Sequence, residues 1–188
     1  MTDIPFALLP CGDTHHQTGE PFNIEISGLI TTQTDAIYIQ YLVTGDISKA
    51  KFPPVLQHGQ RKNNLWKSTC FELFISPDNH TEYWEYNFSP SHHWALYQFS
   101  GYRENQSDDL SITDLVITTQ RTNDQQFELA CKAPLPDPIK GHTIDIGVSA
   151  VIQDTEDNLY YYALIHCKET ADFHNRKSFI ISVDANKF

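Results

Sequence analysis

The feature that most constrains this chain is a two-residue alternation of apolar and polar side chains, recurring in short runs. Phe22-Asn23-Ile24-Glu25-Ile26 and Ile144-Asp145-Ile146-Gly147-Val148 alternate cleanly. Successive side chains on a strand point to opposite faces, so each run builds a sheet with one apolar side. Segments 36–44, 67–76, 81–88, 93–99, 112–119, 126–133, 159–166 and 178–184 are further strand candidates. Turn formers separate them, as in Ser76-Pro77-Asp78-Asn79, Ser89-Pro90-Ser91, Thr122-Asn123-Asp124 and Asp154-Thr155-Glu156-Asp157-Asn158. No segment sustains the 3.6-residue period of an amphipathic helix. The expectation is an all-β chain: a single antiparallel β-sandwich, jelly-roll-like, of about ten strands. At roughly 100–200 residues per domain, residues 1–188 form one domain.

Composition narrows the partners. Asp and Glu number 24 against 13 Lys and Arg, a formal charge of −11, which speaks against a nucleic-acid or anionic-membrane partner. A hydrophobic fraction of 40% with 12% aromatics excludes a disordered chain. No run of ~18 apolar residues is present, so no transmembrane helix is expected. Met1-Thr2-Asp3-Ile4-Pro5 has neither a basic nor an apolar leader region, so a cytoplasmic setting is expected. There Cys11, Cys70, Cys131 and Cys167, which form no C-x-x-C pair, stay reduced.

The central hairpin carries the most chemistry. One face of 68–75 holds Phe71, Leu73 and Ile75, the other Cys70, Glu72 and Phe74. One face of 82–88 holds Trp84, Tyr86 and Phe88, the other Tyr83, Glu85 and Asn87. Both apolar rows must lie on one side, so opposed residue numbers add to an odd sum. A loop centred between Asp78 and Asn79 makes that sum 157, with Leu73 facing Trp84 and Phe71 facing Tyr86. Glu72 is then expected opposite Glu85, and Cys70 opposite Asn87. A register displaced by two would keep the faces and leave the glutamates diagonal. Opposed like charges need compensation from a cation or a shared proton; Arg103 and Arg61 are the cations nearest in sequence. The polar row is either the solvent face of a sandwich or the floor of a site. Trp66, Tyr83, Trp94, Tyr97 and Tyr102 lie near it in sequence, Tyr160-Tyr161-Tyr162 follow further along, and carboxylates beside rings suit a sugar, whose hydroxyls hydrogen-bond while its C–H faces stack. Two connections break the meander. Residues 45–65, with Pro53-Pro54, form a loop long enough to be functional. Residues 167–177 form a polar, aromatic link to the last strand.

Leu65-Trp66-Lys67-Ser68-Thr69-Cys70-Phe71-Glu72-Leu73-Phe74 resembles DOMON-like proteins related to family-9 carbohydrate-binding modules. The resemblance continues through Tyr83–Ser91, Trp94-Ala95-Leu96-Tyr97 and Gly101-Tyr102-Arg103, and recurs in Tyr162-Ala163-Leu164-Ile165-His166 and Asp172-Phe173-His174. It is dense over 65–103 and 143–183. It implies a β-sandwich that binds a small saccharide or glycan-like ligand without catalysis. In family-9 modules a tryptophan platform precedes a hydroxyl-binding glutamate by six residues; Trp66 and Glu72 have that spacing. Their Arg-x-Asn pair reads Glu85-x-Asn87 here, so Asn87 matches and the basic residue does not. On this basis the ligand-binding set comprises Trp66, Glu72, Glu85, Asn87, Trp94, Arg103, Tyr162, His166 and His174.

Other chemistries stay open. Closely opposed Glu72 and Glu85 could serve a carboxylate-dependent glycoside hydrolase. DOMON relatives hold haem, often by Met and His; Met1 is the only methionine, which leaves His166 with His174. An interaction module without a small ligand is a further alternative. No cofactor is expected. Zinc is disfavoured because His15-His16 and His92-His93 are adjacent pairs whose side chains diverge on a strand, and calcium has one opening in the acidic loop 154–157.

Overall fold

The computed structural model describes residues 2–12 and 22–184. Twelve strands account for nearly all its regular structure: β1 (Asp3–Pro10), β2 (Ile24–Gln33), β3 (Ala36–Gly45), β4 (Cys70–Pro77), β5 (Tyr83–Phe88), β6 (Trp94–Phe99), β7 (Ser107–Asp108), β8 (Ile117–Asn123), β9 (Gln126–Pro134), β10 (Ile144–Gln153), β11 (Leu159–Ala163) and β12 (Ile181–Val183). All pairings among these strands are antiparallel, and eleven strands follow one path, β7-β6-β5-β4-β10-β11-β1-β2-β3-β9-β8, with β12 added to β10.

The all-β antiparallel expectation holds, but the molecule is one continuous curled sheet rather than two separate ones. The join is β1, which pairs with β2 through Asp3–Leu8 and with β11 through Leu9 and Pro10. β1 is not among the segments expected as strands, and its two prolines remove backbone donors. Pro5 pairs with Leu29 where β1 has a strand on one side only, so the missing N–H need not break a ladder.

Curling brings the β4-β5-β10 wing over the β2-β3-β9 wing. The Tyr41 ring meets Phe71 at 4.9 Å, and its hydroxyl donates across the core to the Glu72 carbonyl at 2.8 Å. Tyr86 likewise donates to the carbonyl of Pro134. Between the wings lie Phe71, Leu73, Ile75, Trp84, Tyr86 and Phe88, the apolar rows of the hairpin, all fully buried. Each such side chain contributes about 1.5–3 kcal/mol through burial.

The hairpin is unusual in being buried on both faces: every residue of β4 and β5 is buried. Its outer face is covered by the connection 164–180, whose Phe179 packs on Phe74 and Tyr83 in a second, smaller cluster. Gly147 on β10 permits this, since a Cβ there would lie 2.6 Å from the Phe179 ring. Among the described residues no helix is long and apolar enough to cross a membrane.

Candidate functional site

The space between the hairpin's outer face and its covering segment does not close completely. It leaves a cavity of about 430 Å³ walled by Trp66, Glu72, Glu85, Arg103, Tyr161 and His174, among others, a volume suited to a small ligand.

The floor follows from register. Directly opposed residues share a face, and β4 pairs with β5 so that Glu72 faces Asn87 and Phe74 faces Glu85. The opposed sum is therefore 159, and the expected Glu72–Glu85 and Cys70–Asn87 oppositions are both corrected. The turn places Asn79 at φ +60° and returns the His80 N–H to the Pro77 carbonyl at 3.3 Å. That centres it one residue later than sequence reasoning had it. The glutamates remain on one face, as diagonal neighbours, so the directly opposed pair considered for retaining hydrolysis is not formed.

Each glutamate is buried and held by one neighbour. Glu72 is 2% exposed and its Oε2 accepts from Ser149 Oγ at 2.9 Å. Glu85 is 5% exposed and its Oε1 accepts from Asn87 Nδ2 at 2.6 Å. Burial, then the charge of Glu85, hold the Glu72 carboxyl well above the usual range, against the Ser149 bond and the field of Arg103. Burial lifts Glu85 to about 7, against donation from Asn87 and the field of Arg103.

His174 reaches in from the covering segment. Its Nδ1 meets the Tyr83 hydroxyl at 2.8 Å, and its Nε2 lies 3.7 Å from Glu85 Oε2. Burial and then the nearby Arg103 push the imidazole down to about 4, with Asp172 opposing. Arg103 stands at the rim with φ +56°; its backbone N–H donates to Tyr83 Oη at 3.2 Å and its guanidinium to Asp172 at 3.4 Å. Asp172 also accepts from Lys168 at 2.7 Å and Tyr102 at 2.9 Å.

Trp66 comes from the long loop. Asn64 adopts φ +62° and starts a single 3-10 turn, Leu65–Lys67, which buries Leu65 and leaves the Trp66 indole 46% exposed on the cavity. The Lys67 ammonium lies 5.5 Å from the centre of that ring.

Of the residues singled out from sequence, Trp66, Glu72, Glu85, Arg103 and His174 are brought together. The other four lie elsewhere. Asn87 is fully buried, spending its amide on Glu85 and accepting from Cys70 Sγ at 3.4 Å, so it orients a carboxylate without lining the cavity. Trp94 is 1% exposed and lies in the core on the other face of the sheet. Arg61 sits 4.2 Å over that ring and donates to the carbonyls of Leu96, Asp109 and Ile112, far from the role of balancing the glutamates. Tyr162 points into the core, its buried hydroxyl without a partner in the described residues. His166 bonds the Leu9 carbonyl through Nε2 at 2.8 Å and does not join His174 at the cavity.

The tyrosines that do line the cavity are Tyr97 and Tyr161, the latter with Phe173 at 6.1 Å ring to ring. A parity signal was available. Ile144, Ile146, Val148, Ala150 and Ile152 form the apolar row of β10; Tyr160 and Tyr162 pair with Ile152 and Ala150, whereas Tyr161 pairs with Val151 on the cavity side.

The residues considered for metal or haem make local hydrogen bonds. His92 bonds Thr119 Oγ1 and His93 accepts from the Gln60 N–H, each at 3.0–3.1 Å. Asp154 accepts from the Glu156 and Asn158 backbone, the Asn158 amide and Tyr160. Met1, His15 and His16 lie outside the described residues. Among the described residues no group of three or more His, Cys, Asp or Glu side chains is arranged to hold a metal.

No protein-family model matches the chain, and no curated protein matches it. Solved structures do. The crystal structure of a candidate carbohydrate-binding protein from Bacteroides uniformis superposes with a TM-score of 0.61 at 13% identity, covering 91% of this chain and 83% of that one. A family-9 carbohydrate-binding module from Caldicellulosiruptor kristjanssonii in complex with glucose gives 0.49 at 11% identity over 94% and 83% of the two chains. The complex with cellotriose gives 0.46 at 11% identity over 84% and 72%. At this identity the first similarity is one of fold.

Proposed function

We propose that this protein binds a small saccharide, without transforming it, in the cavity between the hairpin's outer face and the covering segment. The observation that carries the reading is Trp66, a half-exposed indole on the wall of a cavity whose other walls hold two buried glutamates. The ring offers a flat apolar surface to sugar C–H groups, and the carboxyls accept from or donate to hydroxyls. Tyr161 and Phe173 provide a second aromatic wall. The fold shared with the Bacteroides uniformis chain, itself described as a carbohydrate-binding candidate, agrees with this chemistry.

Isothermal titration against a panel of mono- and disaccharides tests the reading. Binding by at least one of them below millimolar concentration is expected, with no turnover of chromogenic glycosides. Because Trp84 and Trp94 are buried in the core, a ligand-induced change in tryptophan emission reports Trp66. A panel in which nothing binds at millimolar ligand ends the proposal.

A further inference from the structure

We infer that the saccharide is a cationic one: an amino sugar whose ammonium group lies between Glu72 and Glu85. The inference rests on the saccharide reading above and adds the charge of the ligand to it.

The argument is a count of partners on the cavity floor. Glu72, 2% exposed, has a protein donor on Oε2 alone, and among the described residues nothing bonds its second oxygen. Glu85 has a donor on Oε1, while its Oε2 is 3.7 Å from His174 Nε2, beyond hydrogen-bond reach. Each carboxyl therefore presents one oxygen that its neighbours leave unsatisfied, on a wall of the same cavity.

The nearby cations bond neither glutamate, and Arg103 acts on them only through its field. Arg103 is half exposed and pairs with Asp172, which also takes Lys168. His174 spends Nδ1 on Tyr83. With no buried cation against them, the two carboxyls are relieved by holding protons, as burial dictates, and a ligand of opposite charge bound between them takes the place of those protons. An ammonium group has three donors and a full charge, so it can bridge both free oxygens. A sugar hydroxyl can bond one carboxyl but neutralises neither. The aromatic wall suits the same ligand, since Trp66, Tyr161 and Phe173 attract a cation over their faces as well as stacking on C–H groups.

Matched titrations at pH 7 test this, pairing glucosamine with glucose, galactosamine with galactose and mannosamine with mannose. The amine, an α-amino-like group, is mostly protonated there. The amino sugar of at least one pair should bind at least tenfold tighter than its parent hexose, and its N-acetyl derivative no tighter than that hexose. In Glu85→Gln, confirmed folded by its melting transition, the tenfold advantage should disappear. Hexoses that bind as well as their amino counterparts overturn the charge assignment and leave the saccharide reading standing. Silence from all three pairs overturns the charge assignment, and the saccharide reading is then decided by the wider panel of mono- and disaccharides. The comparison within pairs uses wild-type protein, so it stands even if the variant fails to fold.

Discussion

The two faces of β4 and β5 are made by the same nineteen-residue stretch of hairpin strand and turn, yet they solve opposite problems. The inner face carries Phe71, Leu73, Ile75, Trp84, Tyr86 and Phe88 and is finished by packing alone. The outer face alternates with it and carries Glu72, Glu85 and Asn87, equally buried but only partly satisfied. Burial of apolar groups stabilises wherever it occurs. Burial of carboxyls does so only when partners replace water. A sheet that covers its polar face with a second layer, yet leaves a gap over the two carboxyls, is stabilised by one face and keeps a cavity on the other, where the proposed ligand would sit.

The largest expected effect breaks the inner face. Leu73→Ala removes a fully buried side chain facing Val148 and Tyr86 across the sheet, and it should lose stability toward the upper end of about 2–5 kcal/mol. Denaturant unfolding measures this. A loss below 1 kcal/mol would mean the inner face is not the rigid layer described.

The next effect sharpens the contrast through pH. Glu85 is lifted from its ordinary 4.5 to about 7, so between those values the folded state holds a proton that the unfolded chain has released. The stability this provides is complete below pH 4.5 and lost as pH rises through 7. His174, lowered from 6.5 to about 4, runs the other way: its contribution is complete above 6.5 and lost as pH falls toward 4. The two slopes oppose each other over pH 4.5–6.5, so the wild-type profile alone is uninformative. The difference between Glu85→Gln and wild type reports the Glu85 carboxyl together with its effect on Glu72. From pH 4 to pH 8 the variant should gain about 3 kcal/mol on wild type. A difference that does not change with pH would show that Glu85 is solvated like a surface carboxylate.

What the sequence could and could not disclose follows from the same contrast. Alternation decides which face a residue occupies, so the odd-sum rule put Glu72, Glu85 and Asn87 on one face correctly. It says nothing about displacement by two, because that keeps every face unchanged. Only the turn decides, and Asp78, Asn79, His80 and Thr81 are all polar residues that could centre it in more than one place. Parity also held the answer for the aromatics. Trp94 pairs with Phe88 and shares its inner face, and Tyr162 shares the face of Ala150; nearness in sequence to the glutamates misplaced the first, and the family resemblance misplaced the second. The outer layer was beyond reach of pattern. Residues 164–180 contain little regular structure beyond the turn Arg176–Ser178, so nothing in their spacing shows that Phe173 and His174 return to cover the hairpin.

The smallest expected effect on folding accompanies a large one on binding, and it concerns the indole on the outer side. Trp66 is nearly half exposed and belongs to neither buried cluster, so Trp66→Ala should change unfolding free energy by no more than about 0.5 kcal/mol. Trp94 provides the control: it is 1% exposed, pairs with Phe88 and supports Arg61 at 4.2 Å, so Trp94→Ala should cost about 3–5 kcal/mol. If Trp66 is the stacking surface of the saccharide site, its loss lowers sugar affinity at least tenfold while the melting curve stays in place. A Trp66→Ala protein that melts as wild type and binds its sugar as well as wild type would remove the ring from the site. The two glutamates and the Tyr161–Phe173 wall would then carry the cavity's claim to a ligand.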